Sequence, residues 1–203
     1  AWQSLYPCEP VLLNDQLITT WQEGTLAERK LALLELRRLN PEKARQYLAN
    51  EFHLEHAQSR ATLLDTLQHR LGLNDEMFLE KCLDDRSQKV TQVASKLLSQ
   101  LSQSSYIQRN ISRLKNCINF EQVCLSINEG EPILLEVSLP KLKLTESEIR
   151  DRLGSSQLVK GKRASRLSEL ISCVPLHFWT QSTFGTLNCT QVIKVLQQSD
   201  HFD

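Results

Sequence analysis

Glycine and proline are scarce in this 203-residue chain, six of each, which argues against sandwiches and barrels, whose strands are punctuated by such turn residues. Net charge is missing as well: 24 Lys and Arg face 24 Asp and Glu. The total therefore supplies no field that would draw the whole molecule onto nucleic acid or an anionic membrane, and only a local patch remains for that purpose. No apolar run approaches the roughly 18 residues a membrane-spanning helix needs, and the opening AWQSLYPCEP lacks a basic segment followed by an apolar one. The expectation is a cytoplasmic protein. The start at Ala1 rather than Met suggests a processed or trimmed chain. Six cysteines (Cys8, Cys82, Cys117, Cys124, Cys173, Cys189) are scattered and never form a CxxC, so they fit neither a disulfide framework nor a common zinc pattern. Reduced, mostly buried thiols are expected. The phosphate-loop, dinucleotide and HExxH signatures are absent from the sequence too.

What is abundant is leucine, 36 of 203 residues, and with so little Gly and Pro this composition predicts helices. Those helices repeat. Ala27-Glu-Arg-Lys-Leu-Ala-Leu-Leu-Glu-Leu36 aligns with Gln58-Ser-Arg-Ala-Thr-Leu-Leu-Asp-Thr-Leu67 at an offset of 31, matching Arg29 to Arg60, Leu33 to Leu64 and Leu36 to Leu67. A second step of 31 reaches Lys89 to Leu98, where Ala94 matches Ala32 and Leu98 matches Leu36. Shorter helices opening at Asn40-Pro41 and Asn74-Asp75 lie between the copies.

Local chemistry marks the same boundaries. Thr25 and Glu28 form a capping box after the helix-breaking Gly24, and Thr145 and Glu148 form another. Asn40 reads as an N-cap with Pro41 at the first helical position, Asn74 as the cap of the next helix, and Ser105 as a cap further on. A helical pair cannot bury its apolar face alone, and stacked copies make a continuous core. The fold expected is mainly all-α, a HEAT-like α-α superhelix of stacked helical pairs over 11–118. Residues 119–140 read as either a small β-hairpin at about 123–137 or an extended segment. Residues 141–203 supply C-terminal helices packing on the array, among them Lys162 to Cys173 and a last helix from Asn188 or Thr190, the whole forming one compact unit.

Few residues invite chemistry. Asp75, Glu76, Glu80, Asp84 and Asp85 lie close in sequence, but the first and last pairs sit at opposite ends of one helix, roughly 13 Å apart at 1.5 Å per residue, so they read as capping and turn residues rather than cation ligands. His53 and His56 lack further zinc ligands at suitable spacing. Cys173 and His177 are separated by Pro175, and no motif around them suggests a nucleophile and base. No catalytic residue, cofactor or metal site is assigned. The segment 141–166 differs: eight basic residues face three acidic ones there. Lys160, Lys162, Arg163 and Arg166 are its candidate partner or anion surface, with Phe178 and Trp179 read as a core plug more than a stacking platform.

The run Leu73-Asn-Asp-Glu-Met-Phe-Leu-Glu-Lys-Cys-Leu-Asp-Asp-Arg-Ser-Gln-Lys-Val90, together with Trp21-Gln-Glu-Gly24, Arg37-Arg-Leu-Asn-Pro41, Gly161-Lys-Arg-Ala164 and Val174-Pro-Leu-His-Phe-Trp179, resembles an uncharacterised bacterial family of HEAT-like helical proteins known only by a domain-of-unknown-function name. Members of that family look longer than this chain, which would make it a shortened member or an excised part. Their genes commonly lie near those of MoxR-type AAA ATPases and von Willebrand A-type proteins, so the resemblance implies an adaptor in an assembly or chaperone-like system, and it brings no catalytic residue. One departure concerns Val90-Thr91, where such repeats usually carry Val-Arg, and it puts one inter-repeat ion pair in doubt. The function expected is therefore a non-enzymatic protein-binding scaffold. The alternatives are a nucleic-acid-binding helical-repeat protein using 141–166, and a helical-repeat lyase or ligand carrier.

Overall fold

The computed structural model describes residues 10–118, 137–155, 161–175 and 178–179. Most of the hairpin expected at 123–137, and the last helix expected from Asn188 or Thr190, lie outside the described residues. The chain divides into two units, Ala1–Leu101 and Ser102–Asp203, a boundary that falls inside the segment expected to form one array.

The first unit carries α1 (Pro10–Glu23), α2 (Leu26–Leu39), α3 (Pro41–Glu51), α4 (Ala57–Leu64), α5 (Glu76–Cys82) and α6 (Gln88–Leu98), with 3-10 turns at Phe52–Leu54, Asp65–Gln68 and Leu73–Asp75. The caps explain the starts of α2 and α3. Glu28 Oε2 accepts the Thr25 N–H at 2.8 Å and completes the capping box, while Asn40 Oδ1 accepts the Lys43 N–H at 3.0 Å with Pro41 following it. Both arrangements satisfy backbone donors that a helix start leaves unpaired. Asn74 does not cap α5. It lies inside the 3-10 turn, and the Asp75 carboxylate turns back to accept the Gly72 N–H at 3.0 Å. The start signal lies where the sequence places it, but the capping side chain is Asp75 rather than Asn74.

The 31-residue offset is visible in the packing. Leu33 and Leu64 are both fully buried, and so are Leu36, Leu67 and Leu98, and Ala32, Leu63 and Ala94. Burying each leucine side chain contributes roughly 1.5–3 kcal/mol, so these rows supply much of the unit's core. The same offset relates a polar unit that the apolar pattern does not announce. Arg29 lies 4.6 Å over the Trp21 ring and pairs with Glu55 and Glu51. Arg60, 31 residues on, lies 5.9 Å from the Phe52 ring centroid and forms a two-pronged pair with Asp85 at 2.8 and 2.9 Å. One further step places Leu83 and Thr91 at these positions, and a threonine has no charge to carry the pairing on. Two consecutive repeats thus share an aromatic ring, an arginine and a carboxylate, and in the third the arginine is gone.

The second unit holds α7 (Ser105–Lys115), α8 (Glu146–Arg150) and α9 (Lys162–Cys173). The cap of α7 is Ser104, whose hydroxyl accepts the Ile107 N–H at 3.3 Å, so the expected cap at Ser105 is displaced by one residue. The Thr145–Glu148 box opens α8 as read from sequence. Leu114, Cys117, Ile118, Leu153, Leu167, Leu170, Val174, Phe178 and Trp179 form its core. Among the described residues extended pairing is limited to an isolated antiparallel bridge between Ile118 and Val137. The described residues are otherwise helix, turn and irregular chain, as the composition required.

Candidate functional site

The basic segment is largely used inside the second unit. Arg166 is buried, and its guanidinium donates to the carbonyls of Lys141 at 2.6 Å and Leu142 at 3.0 Å, with Glu148 at 3.7 Å. Arg163 donates to the carbonyls of Pro140 at 2.7 Å and Leu139 at 2.8 Å. Carbonyls 139–142 belong to an irregular stretch with no helical donor of its own, and an arginine fork is well shaped to satisfy several at once. The residues of the expected surface are placed differently from one another: Arg166 is a buried strut, Arg163 bonds the backbone beside it while staying exposed, Lys162 is exposed at the start of α9, and Lys160 lies outside the described residues.

A different group of cations meets solvent along α7. Ser105, Gln108, Arg109, Ser112 and Arg113 recur at helical spacing on one side of α7. With Gln103 before the helix and Ser147 of α8, they line a shallow open groove of about 520 Å³. Under it lies Asp151, whose side chain is fully buried. Arg109 grips that carboxylate with two bonds of 2.9 Å, and Arg113 approaches it at 2.7 Å while also reaching Asn110 Oδ1 and the Ser147 hydroxyl. Tyr106 donates its phenol O–H to the Asp151 carbonyl at 3.2 Å. Burial pushes the Tyr106 phenol well above its ordinary range, so it stays a neutral donor. One buried carboxylate thus holds two guanidinium groups in a set orientation.

Nothing among the described residues forms a nucleophile and base. Cys173 is half-buried and its thiol is raised, first by burial and then by the nearby Glu169 charge; a thiol so shifted is not a thiolate at neutral pH. Its expected neighbour His177 lies outside the described residues. Phe178 and Trp179 are buried, with rings edge to face at 5.8 Å, in keeping with a core plug. His53 and His56 are exposed, and no group of metal-ligating side chains occurs among the described residues.

The acidic run contains two structural carboxylates that sequence spacing did not single out. Asp85 holds Arg60. Asp75 holds Arg37, which is fully buried: Nη1 and Nη2 each contact the Asp75 carboxylate at 2.9 Å. Arg37 also donates to the carbonyls of Pro41, Leu67, His69 and Arg70 at 2.9 to 3.1 Å. The only sequence hint of this cluster was an arginine at an otherwise apolar position of α2.

A family model described as a family of unknown function, DUF5691, matches residues 1–202. No curated protein and no solved structure matches the chain.

Proposed function

The chain belongs to DUF5691, a family of unknown function, and from that membership and the repeated helices we propose that it is a non-enzymatic protein-binding scaffold or adaptor. Its repeats are read as HEAT-like helical pairs, and its partner as a protein of a bacterial ATPase-containing assembly, of the AAA or von Willebrand A type suggested by the resemblance. The observation that carries the reading is the offset-31 register of α2, α4 and α6. Burying the row Leu36, Leu67 and Leu98 leaves Leu31, Thr62 and Val93 as an equivalent row at another helical position, with Leu31 66% exposed and Thr62 and Val93 half-buried. An exposed leucine at the first position of that row gives it an apolar start, and repeat arrays commonly bind through such rows.

Among the described residues no helix is long and apolar enough to cross a membrane, and Arg166, the buried arginine of the basic segment, is taken up by backbone carbonyls; a protein partner is the reading preferred. The test is affinity capture from the source organism with the native chain and with Leu31→Glu, followed by identification of what is retained. An ATPase or von Willebrand A-type protein held by the native chain and lost with Leu31→Glu supports the proposal. Recovery of nucleic acid alone overturns it.

A further inference from the structure

We infer that the second unit carries a docking site for an acidic, leucine-bearing segment of a protein partner, built from Lys141, Leu142 and Lys143 with Lys162 and Arg163 at the start of α9. This goes beyond the proposed row on α2, α4 and α6 and uses none of its residues.

Leu142 is 69% exposed, whereas Leu139 and Leu144 to either side of it pack against the core of the unit. Its exposure is not that of a loose loop. Arg163 takes the carbonyls of Leu139 and Pro140, and Arg166 those of Lys141 and Leu142. Consecutive peptide groups are thereby tied to α9 while the Leu142 side chain meets solvent. A surface fixed before its partner arrives loses little conformational freedom on binding. The same bonds span 23 to 25 residues of sequence. They lay the segment bearing Lys141 and Lys143 against the start of α9, which bears Lys162 and Arg163.

Lys141, Lys143, Lys162 and Arg163 are all exposed. Among the described residues the ion pairs of these two stretches go to Arg150 and Arg166 instead. The carbonyls that bond Arg163 are neutral and leave its charge in place. The described acids of 137–155 and 161–175 offset little of this: Asp151 and Glu169 are buried, Glu148 is drawn back to Thr145 and Arg166, and Glu146 is exposed. Exposed cations grouped around a leucine fit carboxylates that flank an apolar side chain. Nucleic acid fits less well. Its phosphates have nothing apolar with which to cover Leu142, and the described aromatic side chains of the unit on which bases would stack, Tyr106, Phe178 and Trp179, are buried. An anionic membrane would call for a broader apolar face than a single leucine.

The experiment measures binding of a short fluorescein-labelled peptide to the whole chain by fluorescence anisotropy at low and high salt. The peptide is glutamate-rich with central leucines, and a second peptide carries serines in their place. The variants are Leu142→Ser and the combination of Lys143→Glu with Lys162→Glu. These positions are exposed, the bonds from Arg163 and Arg166 to the backbone do not use their side chains, and far-UV circular dichroism checks that helix content is unchanged. The native chain is expected to bind the leucine-bearing peptide, about tenfold or more weaker in the lysine variant and at the higher salt, and about threefold or more weaker in Leu142→Ser. Leu142→Ser should leave binding of the serine peptide unchanged, and Leu31→Glu should leave both peptides unaffected. The inference is overturned if the leucine-bearing peptide does not bind, if either variant binds it as well as the native chain, or if a lysine-rich peptide binds equally. It is also overturned if a single-stranded oligonucleotide of the same charge, or phosphatidylserine vesicles, bind more tightly and displace the peptide, or if Leu31→Glu abolishes peptide binding. Because Leu31→Glu leaves these second-unit residues in place, failure of the first-unit docking face and failure of this site give different results.

Discussion

Replacing Arg37 by methionine keeps the length and apolar stem of the side chain but removes a guanidinium that is fully buried and bonded to Asp75 and four backbone carbonyls. Asp75 would then remain 4% exposed with, among the described residues, the Gly72 N–H and the more distant Arg45, at 3.8 Å, to compensate its charge. Removing one partner of a buried ion pair costs about 3–5 kcal/mol, because the surviving charge stays desolvated. Against a total stability of about 5–15 kcal/mol for a domain, that is a large share. For a unit of this size the thermal midpoint falls by about 4–8 °C for each kcal/mol, so a drop on the order of 12 °C or more is expected in a melt followed by far-UV circular dichroism. The double substitution Arg37→Met with Asp75→Leu sharpens the test. An isolated buried pair can be exchanged for apolar side chains almost without loss. Here the carbonyls of Pro41, Leu67, His69 and Arg70 would still lack their donor, and each buried group left unsatisfied costs about 1–3 kcal/mol, so only partial recovery is expected. A loss below about 1 kcal/mol for Arg37→Met, or full recovery in the double variant, would refute the view that Arg37 ties α2 to the turn after α4.

Three further outcomes are expected. Hydrogen bonds from the Thr25 hydroxyl and backbone lower the Glu28 carboxyl, and at Glu148 burial pulls upward but is outweighed by bonds from Thr145 and the charges of Arg166 and Arg113, so both lie below the ordinary 4.5. A carboxyl depressed in the folded state stabilises above its unfolded value and loses that contribution as pH falls through the folded one, so the stability difference between the native chain and Thr145→Val, measured by urea unfolding, should be steady at pH 6 and shrink below pH 4.5; a gap that widens on acidification would contradict this. Burial pushes the Cys82 thiol up to about 12, so iodoacetamide followed by mass spectrometry should find Cys82 unmodified at pH 8 in the folded chain and modified in urea. A Cβ at residue 24 would stand 2.5 Å from the Thr20 carbonyl oxygen and 3.2 Å from Glu28 Cβ, so Gly24→Ala should destabilise by about 1–3 kcal/mol through backbone displacement, and an unchanged melting midpoint would show that the α1–α2 corner yields freely.

How much of this was legible in the sequence varies by type of interaction. Apolar rows at an offset of 31 were readable because burial of leucine depends on periodicity, and periodicity is a local property of the chain. Capping boxes were readable for the same reason: Thr25 and Glu28, and Thr145 and Glu148, satisfy each other within four residues. The shift from Ser105 to Ser104, and from Asn74 to the returning Asp75 carboxylate, shows where this reading weakens, since adjacent polar residues compete for one cap and the path of the backbone selects among them. The doubt raised by Thr91 also has its structural counterpart, for Arg29 and Arg60 each reach a carboxylate in the connection before the next repeated helix and Thr91 has no charge with which to do so.

The candidate groove was not readable. Arg109 and Arg113 are 42 and 38 residues from Asp151, and in the sequence they are merely charged residues on a helix face, while the run 141–166 carries the larger charge surplus. Composition and spacing by themselves determined that the chain is helical, that its helices repeat, and where most of them start, because these depend on short-range hydrogen bonds and on which side of a helix is apolar. Tertiary structure alone decided which cations are structural and which meet solvent. The reason is that a guanidinium is spent or available according to the carbonyls and carboxylates that folding brings to it, and those come from remote parts of the chain.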